Sequence, residues 1–114
     1  MRKYIIIVAI LLQANTVIAE NNTETSLILY GVATRSCGQF LKSYELQNED
    51  YGFYVAWLQG YLSAINLYSV HDRRDIGRAT DVASMMLWLK NHCLQNPLND
   101  FALSVLDLTN ELKK

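Results

Sequence analysis

Downstream of about position 27, apolar residues recur at three- and four-residue intervals, the spacing of amphipathic helices. Leu27, Tyr30, Val32, Ala33, Cys37, Phe40 and Leu41 fit that spacing, interrupted by Gly31 and Gly38. This predicts either one broken helix from Leu27 to Tyr44 or an extended lead-in and then a helix from about Thr34, with the second favoured. Gln47-Asn48-Glu49-Asp50 is a polar start signal whose acids suit a helix's first turn. Beyond it Phe53, Ala56, Trp57, Gly60, Tyr61, Ala64, Ile65 and Tyr68 form an apolar stripe, read as mostly core, with an aromatic face for a protein partner as the alternative. Tyr54, Leu58 and Leu62 add a second apolar row on another side, which offers a surface for a second copy of the chain. Gly60 costs about 1 kcal/mol in a helix relative to Ala, so a close crossing with a neighbouring helix is expected there.

Ser69 to Gly77 is a polar connection. The next helix is expected from about Thr80 to Leu94, with Val82, Ala83, Met86, Leu89 and Cys93 on one face. Asn96-Pro97 reads as a stop followed by a start, because Asn caps well and Pro is tolerated at a first helical position. Leu98, Phe101, Ala102, Val105, Leu106, Thr109 and Leu112 make the last stripe. The prediction is a small all-α bundle of about four helices, with no repeat and no linker that would divide it.

The first nineteen residues change the picture. Arg2 and Lys3 precede an unbroken apolar run from Ile5 to Leu12, and Val17-Ile18-Ala19 places small residues before a cleavage point at Glu20. That run is too short to cross a hydrocarbon core, which takes about 20 helical residues. It has the length of an export signal. Residues 1–19 are therefore expected to be a signal peptide, and 20–114 the mature domain. Removing Arg2 and Lys3 turns a formal charge of -1 into about -3. A mildly acidic chain with scattered Lys and Arg lacks the basic face of nucleic-acid binders.

Cys37 and Cys93 are the only cysteines. In an exported chain an even count reads as a disulfide, and only one intramolecular pairing exists. Closing that loop would stabilise the fold by about 4 kcal/mol in the chain-entropy model. A metal site with His92 would need four ligands, and no CxxC is present. A catalytic cysteine would need a placed histidine and an orienting acid. No phosphate loop, metal-ligand series or nucleophile elbow occurs, and no cofactor is implied. His71, Asp72, Arg73, Arg74 and Asp75 are the densest charged cluster, better suited to contacting a partner than to a shared catalytic geometry. His92, beside Cys93, suits a helix C-terminus.

The motif Gly31-Val32-x-Thr34-x-Ser36-Cys37-Gly38-x-Phe40 is followed by Trp57-Leu58-x-Gly60-Tyr61-Leu62-Ser63-Ala64-x-Asn66. Trp88-Leu89-x-x-x-Cys93 and Asn96-Pro97-Leu98 complete the series. Together they resemble the Rap1a/Tai-type immunity proteins and their HdeA-like relatives, small exported helical bacterial proteins with a disulfide tying two helices. The resemblance runs from about Gly31 to Leu112. Its most specific part is the helix carrying Trp57, Gly60, Tyr61 and Asn66, with the segment from Cys93 to Leu98. It implies a periplasmic, non-enzymatic protein that binds a cell-wall amidase toxin delivered by type VI secretion and blocks its active site. The toxin-facing loop of such proteins matches Ser69 to Gly77. The HdeA-like side of the resemblance implies an alternative, an acid-activated periplasmic chaperone. Protonating eleven acids would leave the bases self-repelling, but the Lys-rich ends of such chaperones are reduced here to Lys113-Lys114. An envelope accessory protein with another partner is a third reading.

Overall fold

A computed structural model describes residues 28–68 and 75–114. Four α-helices form the domain: α1 Cys37–Leu46, α2 Glu49–Tyr68, α3 Val82–Gln95 and α4 Phe101–Leu112. A single 3-10 turn, Gly31–Thr34, precedes them. The all-α bundle expected from the periodicity is the observed architecture, and one disulfide ties it together.

α1, α2 and α3 each begin where a side chain supplies a partner for the first free N–H groups. Ser36 and Gln39 form a reciprocal capping box on α1: Ser36 Oγ accepts from the Gln39 N–H (3.3 Å) and Gln39 Oε1 accepts from the Ser36 N–H (3.1 Å). The lead-in is extended up to Tyr30, so α1 starts three residues later than the spacing suggested. Asn48 Oδ1 accepts from the Tyr51 N–H at the start of α2 (3.2 Å). Asp81 caps α3, accepting from the backbone N–H and the hydroxyl of Ser84 (2.7 and 3.0 Å).

The last helix corrects an expectation. Asn96 ends α3, but α4 begins at Phe101 with Asp100 as its cap, not at Pro97. The intervening carbonyls are used elsewhere. The Cys37 N–H donates to Asn99 O (2.7 Å), the Gly38 N–H to Pro97 O (3.2 Å), and the Phe101 N–H to Arg35 O (2.8 Å). This strap lays the turn after α3 against the start of α1 and commits the Pro97–Asn99 backbone to it. Leu98, expected on the core stripe, is left 93% exposed.

The core is centred on aromatic residues from three helices. Phe40, Tyr54 and Phe101 are fully buried, with ring centroids 4.7 to 5.2 Å apart. Leu58 and Leu62 of α2, Met85, Met86 and Leu89 of α3, and Val105 and Leu108 of α4 pack around them. The disulfide Cys37–Cys93 joins α1 to α3 with its Cα atoms 5.1 Å apart, and both cysteines are buried. Ser104 of α4 is also buried; its Oγ lies 3.1 Å from Cys37 Sγ and 3.6 Å from Cys93 Sγ. Bonded sulfurs have no proton, so the hydroxyl is the donor.

α2 reverses the expected assignment of its faces. Tyr54, Leu58 and Leu62 are the buried row and belong to the core, so they cannot be a surface for a second copy. The stripe read as mostly core faces outward: Phe53, Ala56, Gly60, Ala64 and Tyr68 are exposed, and Trp57, Tyr61 and Ile65 are half-buried. Among the described residues nothing lies within 4 Å of where a Gly60 Cβ would stand, so none of the four helices crosses there. The helix is apolar around most of its girth, and periodicity alone could not say which row met α1, α3 and α4.

Candidate functional site

The connection between α2 and α3 carries the charged cluster singled out in the sequence. His71, Asp72, Arg73 and Arg74 lie outside the described residues; Asp75, the last of the cluster, is exposed. The structure places the two ends of this connection side by side. From the last turn of α2, the Asn66 amide grips one residue on the far side. Its Oδ1 accepts from the Ile76 N–H (3.0 Å), and its Nδ2 donates to Ile76 O (3.1 Å). Ile76 is buried, and the pair of bonds holds its backbone as a neighbouring strand would.

Gly77 follows with φ +87°, a conformation that costs L residues a steric clash. A Cβ there would meet Met85 and Leu62 side chains at 3.5 to 3.8 Å. Chain reversal and ordinary van der Waals contact with the core thus coincide at the point where the connection rejoins it, and the positive φ is what calls for glycine. A cavity of about 560 Å³ opens beside it, lined by Asp75 to Thr80, Leu112 and Lys114. Asn66 was singled out in the sequence as part of a helix motif. Its role as a clamp was not, because Ile76 lies ten residues away and no spacing rule couples them.

Trp57 and Tyr61 lie midway along the same helix. Their rings stack, with centroids 5.3 Å apart and planes 14° from parallel. Trp57 Nε1 donates to Tyr30 O (3.1 Å), tying the lead-in to α2, and Gly31 makes the turn at φ +70°. A groove of about 430 Å³ lies here between Gly31, Val32, Arg35, Phe53 and Trp57. A second, shallow groove of similar size follows Tyr61, Ala64, Ile65 and Tyr68.

Two other polar groupings lie away from this connection. Arg35 and Asp50 pair at 3.3 Å above the Tyr54 hydroxyl, which is buried and faces Arg35 without a well-aligned hydrogen bond. Burial pushes the Tyr54 phenol up, with the guanidinium opposing. His92, in the last turn of α3, stacks on Trp88 (4.9 Å) and sets Nε2 3.2 Å from Asp107 Oδ2, close enough to attract but off the line of a hydrogen bond. Cys93, beside it, is consumed by the disulfide. No group of three or more His, Cys, Asp or Glu side chains able to hold a metal occurs among the described residues. Among these residues no helix is long and apolar enough to cross a membrane.

Neither protein-family models, nor curated proteins, nor solved structures give a match to this chain. What the residues assemble is a disulfide-tied scaffold that fixes the base of a charged connection and exposes an apolar helix face beside it. Both are features of surfaces that bind macromolecules.

Proposed function

We propose that the mature chain is a periplasmic immunity protein that binds a cell-wall amidase toxin delivered by type VI secretion and blocks its active site. On this reading it performs no chemistry of its own. His71, Asp72, Arg73, Arg74 and Asp75 make the contact, and the helical bundle serves to present them.

The observation that carries the reading is the Asn66–Ile76 clamp. A loop that must plug a partner's cleft gains affinity when its ends are fixed beforehand, because less freedom is lost on binding. Here the ends are closed by two hydrogen bonds and a buried isoleucine, immediately flanking the most charged segment of the chain. The charges suit recognition: both signs are present, and Arg side chains are frequent anchors at protein interfaces. The family resemblance set out from the Trp57–Asn66 and Cys93–Leu98 motifs supplies the partner's class.

Competition between sister cells tests the proposal. A strain lacking this gene is expected to lyse beside its parent when the parent's type VI apparatus is active, and to survive when it is disabled. Returning the gene with its export signal should restore survival; returning residues 20–114 alone, without export, should not. Equal survival of the deleted strain beside an active parent would refute the immunity reading.

A further inference from the structure

Tyr54 carries a polar atom that the fold does not use. The residue is fully buried, and among the described residues its hydroxyl has no hydrogen-bond partner. Its ring packs on Phe40 and Phe101, a task phenylalanine would perform equally well. An unsatisfied buried hydroxyl destabilises a protein, so a tyrosine here needs a reason outside the core. Tyr54 also lines a cavity of about 300 Å³ between α1 and the start of α2, together with Arg35, Gln39, Lys42, Asn48 and Asp50. That volume lies at the lower end for small-molecule sites and far exceeds the share of one water, about 30 Å³.

We propose that this cavity binds a small carboxylate, held by the Tyr54 hydroxyl, the Arg35 guanidinium and the Lys42 ammonium. The Arg35–Asp50 pair lies over the hydroxyl, and its two side chains are 41% and 46% exposed. An ion pair this exposed holds its geometry weakly, so an entering carboxylate can take the place of Asp50 on the guanidinium. Arg35 presents a planar fork of N–H donors that matches a carboxylate. Burial pushes the Tyr54 phenol up, which keeps it protonated and able to donate. The site lies away from the charged connection, goes beyond the toxin-blocking reading and does not depend on it.

The balance of groups selects the ligand. Arg35 and Lys42 against Asp50 leave one net positive charge in a chain that is acidic as a whole. No acid pairs with Lys42 among the described residues. Gln39 Oε1 and Asn48 Oδ1 are committed to the starts of α1 and α2, so the unspent groups of both amides are N–H donors. Donors therefore predominate, which calls for an acceptor-rich ligand. A single negative charge matches the net positive one. A dianion such as phosphate would meet Asp50 with an unneutralised charge. Free amino acids and the C-terminal ends of short peptides both carry the required group.

Amide NMR titration of the oxidised, exported protein with N-acetylalanine tests the proposal. Saturable shifts around Gln39, Lys42 and Asp50 are expected, with a dissociation constant on the order of 1 mM for so small a ligand. The N-acetylalanine methylamide, which lacks the carboxylate, should leave these signals in place, and inorganic phosphate should bind at least about tenfold more weakly. Free alanine separates the sources: tighter binding than N-acetylalanine assigns its ammonium to Asp50, and equal binding assigns the site to peptide ends. Tyr54→Phe should melt at or above the parent without ligand and bind about tenfold more weakly. Arg35→Gln, at a partly exposed side chain, should weaken binding by a similar factor whether or not Tyr54→Phe folds. Absence of saturable shifts to about 20 mM, twenty times the expected constant, would overturn the proposal. So would equal binding of the methylamide, or parent-like binding by Arg35→Gln. A Tyr54→Phe protein that melts well below the parent would overturn it too, by showing the hydroxyl already engaged within the fold.

Discussion

Asn66 spends both polar atoms of its amide on the backbone of Ile76 and sits half-buried while doing so. Replacing it with Leu would leave a buried N–H and a buried carbonyl without partners. Hydrogen bonds of this kind contribute about 1 kcal/mol each, and an orphaned buried group costs about 1–3 kcal/mol. Asn66→Leu is therefore expected to lower stability by about 2–4 kcal/mol in urea denaturation. Gln, one methylene longer, should recover little, since the two bonds require the amide at one distance from the helix. Ser104 makes a smaller test at the same scale. Its hydroxyl is buried and points at a disulfide, a weak acceptor, so Ser104→Ala should change stability by less than about 1 kcal/mol.

At the scale of the element, α2 separates two kinds of apolar residue that look alike in sequence. Leu58 is fully buried, and Leu58→Ala is expected to cost about 2–5 kcal/mol. Gly60 is exposed, with no described atom within 4 Å of an added Cβ, so Gly60→Ala should stabilise the dilute protein by up to about 1 kcal/mol through helix propensity alone, read as a higher melting temperature. The start of α3 supplies a pH test. Hydrogen bonds from the Ser84 backbone and hydroxyl hold the Asp81 carboxyl below its ordinary value of 3.8. A depressed carboxylate contributes stability that is present above its unfolded pKa and lost as pH falls through its folded one. Below about pH 4 the cap should therefore weaken progressively. Asp81→Asn caps comparably at neutral pH but cannot titrate. It should leave the neutral melting temperature nearly unchanged and flatten this part of the acid limb.

At the scale of the molecule, the helix count and the disulfide were legible because their signals are local or forced. Four stripes of 3.6-residue period, separated by Gln47-Asn48, Ser69–Gly77 and Asn96-Pro97, leave little choice of element, and two cysteines allow one pairing. Which face of α2 turned inward was not legible. Tyr54-Leu58-Leu62 and Phe53-Trp57-Ala64 are both apolar rows, and only the shape of the other three helices decides between them. The beginning of α4 was hidden for a related reason: Asn96-Pro97 has the local chemistry of a helix start, but the Pro97 and Asn99 carbonyls accept from the first N–H groups of α1. At the candidate site the charged connection was visible as composition, whereas the clamp that closes it depends on a contact between α2 and Ile76. The disulfide acts on the whole domain. Reducing it should cost about 4 kcal/mol, read as a large fall in melting temperature with and without thiol.

The most direct measurement of the central claim is inhibition of peptidoglycan cleavage by the type VI amidase of the same cell, titrated with the oxidised mature protein. The account predicts stoichiometric loss of muropeptide release. An Arg73→Glu, Arg74→Glu protein should need at least about tenfold more for the same inhibition while melting like the parent, since truncating or reversing interface anchors costs more than about 1.4 kcal/mol. Undiminished cleavage at tenfold excess of folded protein, or equal inhibition by the charge-reversed connection, would contradict it.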